Sequence, residues 1–253
     1  MNSMGSTVTR MPRDWDAEAY DRLPIPMTEW GHAVIERLTL RGDERVLDAG
    51  CGTGQVTAFL LERLPRGRVI AVDGSASMVE RARERLGEDR IEYHVADLLD
   101  PLPVTDLVDA IVSTATFHWI TDHGRLFRNL ANSMTSGGRL EAQCGGAGNI
   151  AAVVTAVRSL GVNGEAGKRY ATPEQTSALL EDAGFDEIRC WLEERPTPLS
   201  PADLEPYLRA ICLGGVIDEM PEIERDRFVR SVAARLPTPT IDYVRLNISA
   251  RRR

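Results

Sequence analysis

Three glycines at alternate positions, Gly50, Gly52 and Gly54, follow the run Val46-Leu47-Asp48. That order fits a buried strand ending in a tight turn that opens a helix. Glycine tolerates positive φ and lets a ligand approach the backbone closely. The helix is expected from about Gln55 to Arg63, with its free N–H groups facing whatever sits on the turn. Asp48, at the strand end, is placed either to accept hydrogen bonds from an ammonium group or to order the loop. A glycine turn alone also fits a plain strand-to-helix connection. The next strand, Arg68-Val69-Ile70-Ala71-Val72-Asp73, ends in a second acid. It lies roughly 20 residues downstream, where dinucleotide-type folds bond a ribose. One βαβ unit thus offers a backbone cradle and a ribose anchor, and the expected ligand is a nucleoside.

The dinucleotide fingerprint G-x-G-x-x-G would want glycine where Gln55 stands; the spacing here is G-x-G-x-G. Residues 46–54 resemble motif I of the class I S-adenosylmethionine-dependent methyltransferases at every defining position. The resemblance implies a doubly wound, Rossmann-like α/β fold. Its sheet would have seven strands, the last antiparallel, with a helical cap inserted between strands six and seven. It also implies S-adenosylmethionine as cofactor and S-adenosylhomocysteine as product. Cofactor contacts would come from Asp48, Gly50, Cys51, Gly52 and Gln55 on the turn, and from Asp73 and Gly74 after the second strand.

Further segments extend the resemblance. Residues 14–21, with Trp15 and Tyr20, are similar to the N-terminal W-x-x-x-x-Y stretch of trans-aconitate methyltransferase-like enzymes. That implies a Tyr20 lying on a segment that closes over the cofactor; the alternative is that Trp15 and Tyr20 pin the segment to the core. A helix is expected after Ser75 or Ser77 as N-cap, with Gly87 stopping it. The resemblance sets Met78 against the adenine face, where core filling is the competing reading. The strand Ile91–Val95 leads to Ala96, Asp97 and Leu98 at the adenine. Asp97, an acceptor, would meet the donor-only amino group. A fourth strand, Asp106–Ser113, is apolar enough to be central in a parallel sheet. Ser113-Thr114-Ala115-Thr116-Phe117-His118-Trp119 resembles the family's S-x-x-x-x-H-W segment. Ligands of open α/β sheets bind outside the carboxyl ends of strands. Ser113, His118 and Trp119 are therefore expected at the cofactor, with His118 beside the methyl group as general base or hydrogen-bond donor. A histidine beside a tryptophan also fits ordinary packing.

Beyond this point the reading is topological. A helix is expected over Leu126–Met134, strand five over Gly137–Cys144 and a helix over Ile150–Leu160. A capped helix starts at Thr172-Pro173 and strand six covers Phe185–Leu192. Two helices, Leu204–Ile217 and Ile223–Leu236, precede a last strand over Tyr243–Ala250, with Arg251, Arg252 and Arg253 as a solvated tail. Residues 1–40 form the N-terminal segment over the cofactor. Residues 41–253 form the methyltransferase domain, with 148–172 and 196–239 as substrate-cap elements.

Net charge is −8, which argues against a general nucleic-acid or membrane-surface binder. The cysteines Cys51, Cys144, Cys190 and Cys212 form no C-x-x-C pair, so no metal site is expected. Their sparseness fits reduced thiols in a cytoplasm. Met1–Pro12 lacks the apolar core of a signal peptide, and no stretch reaches the roughly 20 apolar residues of a membrane span. The expected partner is a small-molecule methyl acceptor, with no nucleic acid and no membrane, bound by a monomer or homodimer. The resemblance favours a small organic acid or specialised metabolite, O-methylated in preference to C- or N-methylated. A carboxylate acceptor is ionised at neutral pH and needs no base; Arg158, Arg169 and Arg209 are candidate clamps, with a surface position as the competing and favoured reading of each one alone. Two other classes stay open. One is a nicotinamide-dependent oxidoreductase, against which Gln55 argues. The other is a repurposed member that holds the nucleoside while catalysing something else.

Overall fold

The computed structural model describes residues 15, 17, 21, 26–165 and 167–253. Tyr20 lies outside the described residues. The main sheet contains β1 (Arg45–Ala49), β2 (Arg68–Asp73), β3 (Ile91–Val95), β4 (Val108–Thr114), β5 (Met134–Gly145), β6 (Phe185–Glu194) and β7 (Val244–Arg252). Its order is β3-β2-β1-β4-β5-β7-β6. The pairings from β3 across to β5 are parallel, and β7 runs antiparallel between β5 and β6. The order reverses between β1 and β4, which opens a crevice at their carboxyl ends.

The strands are apolar because both faces are covered. Along β1, Val46 joins a core with Ile35, Leu60, Val69 and Val112. Its neighbour Leu47 points the other way, into a core with Ile70, Ile111, Phe127 and Leu140. Helices α1 (Met27–Glu36) and α2 (Gln55–Glu62) supply Ile35 and Leu60 to the first core. Next in the chain come α3 (Ala76–Leu86), N-capped by Ser75, and α4 (His123–Asn132). Helices α5 (Ala151–Ser159) and α6 (Pro173–Asp182) follow, the latter started by a Thr172–Gln175 capping box. A third core joins Met27 and Trp30 of α1 to Val153 and Val157 of α5, to Tyr207 and Ile211, and to Tyr243.

Three expectations are corrected. The fourth helix begins at His123, because Asp122 Oδ1 accepts from Arg125 N at 2.9 Å and caps it; Met134 instead opens β5. The expected helix over 204–217 is broken into Leu204–Tyr207, a π turn over Leu208–Cys212, and Gly214–Ile217. The Gly214-Gly215 pair disfavours a continuous helix there. Finally, Arg251 and Arg252 are not a solvated tail. They extend β7, where Arg251 pairs with Glu187 and Arg252 donates to Ala131 O and Gly184 O.

Candidate active site

The glycine turn sits at the carboxyl end of β1. Gly50, Gly52 and Gly54 all have positive φ, at 92°, 54° and 81°. Gly50 N and Cys51 N donate to Val72 O at 2.7 and 3.0 Å, which ties the turn to β2. A Cβ on Gly50 would lie 2.0 Å from Thr116 Oγ1, whereas one on Gly52 would meet nothing within 4 Å. Gly52 is therefore the place where backbone faces open space. Gly54 caps α2 without a side chain, so the first N–H groups of that helix point toward the turn with no side-chain acceptor at the cap.

Acids surround this turn and hold it. Asp73 Oδ2 accepts from Gly52 N at 2.9 Å, and its Oδ1 accepts from Ser75 N. Asp48 is buried and accepts from Thr57 Oγ1 at 2.7 Å, so of its two expected roles the geometry displays loop ordering. Burial, opposed by the Thr57 bond and aided by the Asp73 charge, pushes its carboxyl up to about 6. Cys51 is buried beside both acids, and burial first, then their charges, push its thiol well above the usual range. Ser113 turns inward: its hydroxyl donates to Ala49 O at 2.6 Å and locks β4 to β1. Further along the strand ends, Ala96 N donates to Asp73 O, and Asp97 Oδ1 accepts from Leu99 N at 2.9 Å. Leu98 and Met78 are buried, and Gly74 is half-buried.

The described residues of the N-terminal segment lie across the turn. Asp21 Oδ1 accepts from Thr53 Oγ1 and Gln55 Nε2, while its Oδ2 accepts from Arg81 and Arg85. Burial raises the Asp21 carboxyl, but these bonds outweigh it and hold it below its ordinary value. Trp15 N donates to Ser75 Oγ, Ser77 Oγ donates to Trp15 O, and the Trp15 ring meets Trp119 edge-on at 5.0 Å. Thr28 of α1 donates to Gln55 Oε1. Inside that contact lies a hollow of about 50 Å³, bordered by Met27, Gly52 and Ala115. Outside it runs a groove of about 410 Å³ along His32 and Phe59, which also touches Thr28 and Gln55. Ala115 holds a φ of 55°, a strained value of the kind that collects at functional sites.

His118 lies on a short 3₁₀ turn after β4. It is buried, and its ring stacks with Tyr170 at 6.0 Å. Gly145 N donates to its Nδ1 at 3.3 Å. A backbone N–H can only donate, so the ring proton of the neutral imidazole resides on Nε2. Burial, followed by the charges of Arg245, Lys168 and His123, lowers the His118 pKa well below 6.5 and keeps the ring neutral. Trp119 has Lys168 Nζ 4.8 Å from its ring centroid.

Sequence reasoning missed Arg245, Lys168, Tyr170 and Thr28. The arginines it offered as clamps have partners within the fold, and Arg169 N donates to His118 O at 2.8 Å. Arg158 pairs with Glu165 and Arg209 with Asp226, while Arg169 donates to Thr121 O. Among the described residues no group of three or more His, Cys, Asp or Glu is arranged to hold a metal, and no helix is long and apolar enough to cross a membrane.

A family described as "Methyltransferase domain" matches residues 46–138. A trans-aconitate 2-methyltransferase of Rhodopseudomonas palustris is 37% identical over 131 residues, 51% of this chain and 50% of that protein. A malonyl-[acyl-carrier protein] O-methyltransferase of Acetivibrio thermocellus is 33% identical over 127 residues, 49% and 44% of the two chains. The chain thus spans about half the length of the curated relatives it matches. Among solved structures, a phosphoethanolamine N-methyltransferase 2 of Haemonchus contortus, in complex with S-adenosylhomocysteine, superposes with a TM-score of 0.61. It is 19% identical and the match covers 88% of this chain and 52% of that one; at that identity the likeness speaks for the fold. The motif spacing, the 3-2-1-4-5-7-6 strand order and the family match agree: residues 46–138 match a methyltransferase domain, set in a Rossmann-like α/β fold of the kind that methyltransferases share.

Proposed function

We propose that the chain transfers a methyl group from S-adenosylmethionine to an oxygen of a small organic acid. The observation that carries the reading is Gly52, open to space at a strand end and held there by Asp73. The cofactor, when bound, supplies an activated methyl group on a sulfonium and leaves as S-adenosylhomocysteine. Gly52 and the uncapped start of α2 would hold its amino-acid tail. Asp73 would exchange its bond to Gly52 N for ribose hydroxyls, and Asp97 would accept from the adenine amino group, with Met78 behind the ring. The hollow of about 50 Å³ is far below the roughly 300–1,000 Å³ of a small-molecule site. The Thr28–Gln55 contact must therefore part, and Asp21 must lift from Thr53 and Gln55. Residues 1–40 would then act as the closing segment, with residues 148–172 and 196–239 forming the acceptor's cap and excluding water.

His118 supports O-methylation of an acid in particular. With Nδ1 bonded to Gly145 N, its Nε2–H is a donor. Taking a proton would make a cation beside Arg245 and Lys168, which burial and those charges oppose. An ionised carboxylate needs no base, and its alignment with the methyl carbon supplies most of the acceleration. Trans-aconitate, named for a relative, belongs to this acceptor class. The test is incubation with methyl-labelled S-adenosylmethionine and a panel of di- and tricarboxylic acids. The expected result is label in a base-labile ester, with S-adenosylhomocysteine formed one for one. Label in a base-stable C- or N-methyl product would contradict O-methylation, and its absence from every acid would contradict the acceptor class.

A further inference from the structure

Two arginines lie on the face of the sheet that α1 covers, and they are treated differently. Arg37 has its own counterion: its Nε donates to Glu141 Oε2 at 2.7 Å on β5. Arg245 stands further toward the carboxyl end of β5, opposite Gly145 in the β5–β7 register. Its guanidinium carbon lies 4.9 Å from the Trp30 ring centroid and 5.8 Å from that of Tyr243. Its Nε donates to Gln143 Oε1 at 3.3 Å, and its Nη2 has no hydrogen-bond partner among the described residues. The residue is 1% exposed and forms no ion pair among the described residues. The carboxylates on either side in sequence and register do not pair with Arg245, although Asp242 Oδ1 is itself buried without a partner among the described residues. Glu193 pairs with Arg195, and Asp242 Oδ2 accepts from Ala152 N.

A buried cation without a counterion is costly, and a buried donor without an acceptor adds to that cost. Cation–π contact with Trp30 offsets part of it but leaves the Nη2 edge unanswered. Arg245 is paired with Gly145, the last residue of β5, at the end of the sheet where ligands of such folds bind. Gly145, its register partner, is the residue that bonds His118. Lys168 adds a second positive charge, bridging from Trp119 to Cys212 O at the end of the π turn; π turns recur at functional sites.

We propose that Arg245 anchors a carboxylate of the methyl acceptor, through the free edge of its guanidinium, and so decides which acceptors the site takes. The proposal rests on the reading of this site as a methyl-transfer centre. The planar fork matches a carboxylate, and the bond is charge-assisted on both sides. A side chain kept for this purpose costs stability until the acceptor arrives, so its removal relieves the fold while it abolishes recognition.

The test is calorimetry on the full chain, first with S-adenosylhomocysteine and then, in its presence, with succinate, benzoate and octanoate, each against its amide. At least one acid is expected to bind saturably and its amide not to. Arg245→Lys, which keeps the charge and loses the fork, is expected to weaken that acid about 10-fold. Arg245→Met is expected to weaken it about 10- to 100-fold, with a thermal midpoint equal to or above that of the parent. The proposal is overturned if amides bind as well as acids, if no acid binds, or if inorganic phosphate displaces the acid at equal concentration. It is also overturned if Arg245→Met keeps its affinity. Should Arg245→Met fail to fold, unchanged acid affinity in Arg245→Lys overturns it alone. Loss of the S-adenosylhomocysteine signal would instead strike the methyl-transfer reading, so the two failures are separable.

Discussion

At the ends of β1, β2 and β3 the polar side chains are acids, Asp48, Asp73 and Asp97; around His118, at the end of β5, they are the cations Arg245 and Lys168. The first group grips backbone, Asp73 through Gly52 N and Asp97 through Leu99 N. In the second, Arg245 Nη2 has no hydrogen-bond partner among the described residues. A sulfonium donor with an ammonium tail suits the acidic side, and an anionic acceptor suits the basic one. The difference teaches that substrate sign can be read from which buried charges already have counterions. On one sheet face Arg37 is answered by Glu141, while Arg245, the residue proposed to meet the acceptor, has no counterion among the described residues.

The comparison breaks most sharply at Gly52. Gly52→Arg fills the open space over the turn, where no packing adjustment makes room for both side chain and ligand. Cofactor affinity by calorimetry should fall at least about 100-fold, with circular dichroism unchanged; retained affinity would move the cofactor off this turn. His118 sits on the boundary between the two sides. His118→Ala should lower kcat about 10- to 100-fold, the worth of a hydrogen bond to a charged partner, with cofactor affinity within about 2-fold. Because the ring is held neutral by burial, the parent kcat should show no step near pH 6.5; such a step, absent in the variant, would restore His118 as a base.

Asp48 sharpens the acidic side through pH. Its carboxyl is raised from 3.8 to about 6 in the folded chain. The folded state therefore binds the proton more tightly, and stability falls as pH rises from about 4 to 6. Once Asp48 is ionised, the cost is about 3 kcal/mol. Asp48→Asn, whose carbonyl still accepts from Thr57, should remove that decline when denaturant midpoints at pH 4.5 and 7.5 are compared; an unchanged decline would assign it to other groups. The smallest effect is expected at Asp21. Asp21→Asn weakens the bonds to Arg81 and Arg85, both of which reach the surface, where exposed pairs contribute about 0.2–1 kcal/mol. Stopped-flow cofactor binding should quicken a few-fold; slower binding would mean that the segment guides the cofactor in.

The acidic side was legible in the sequence and the basic side was not, for a physical reason. Turn glycines, strand-end acids and the cap of α3 are local features, fixed by neighbours a few residues away. Arg245 stands in Val244-Arg245-Leu246-Asn247-Ile248-Ser249, whose alternation reads as a strand with one wet face. That face is dry because α1, more than 200 residues earlier, lies over it, and no local pattern carries that fact. For Arg158 and Arg209 the surface reading fits the structure: both side chains reach solvent and pair with Glu165 and Asp226. The broken helix over 204–217 was within reach, because Gly214-Gly215 was visible as an interruption. The start of α4 was too, because Asp122 stood where an N-cap belongs.

The central claim is that the turn around Gly52 takes a sulfonium nucleoside. Equilibrium dialysis of the full chain with methyl-labelled S-adenosylmethionine tests it most directly. The account predicts saturation at one site per chain, displacement by S-adenosylhomocysteine and none by NAD. Failure to retain the label, or its displacement by NAD at comparable concentration, would contradict it.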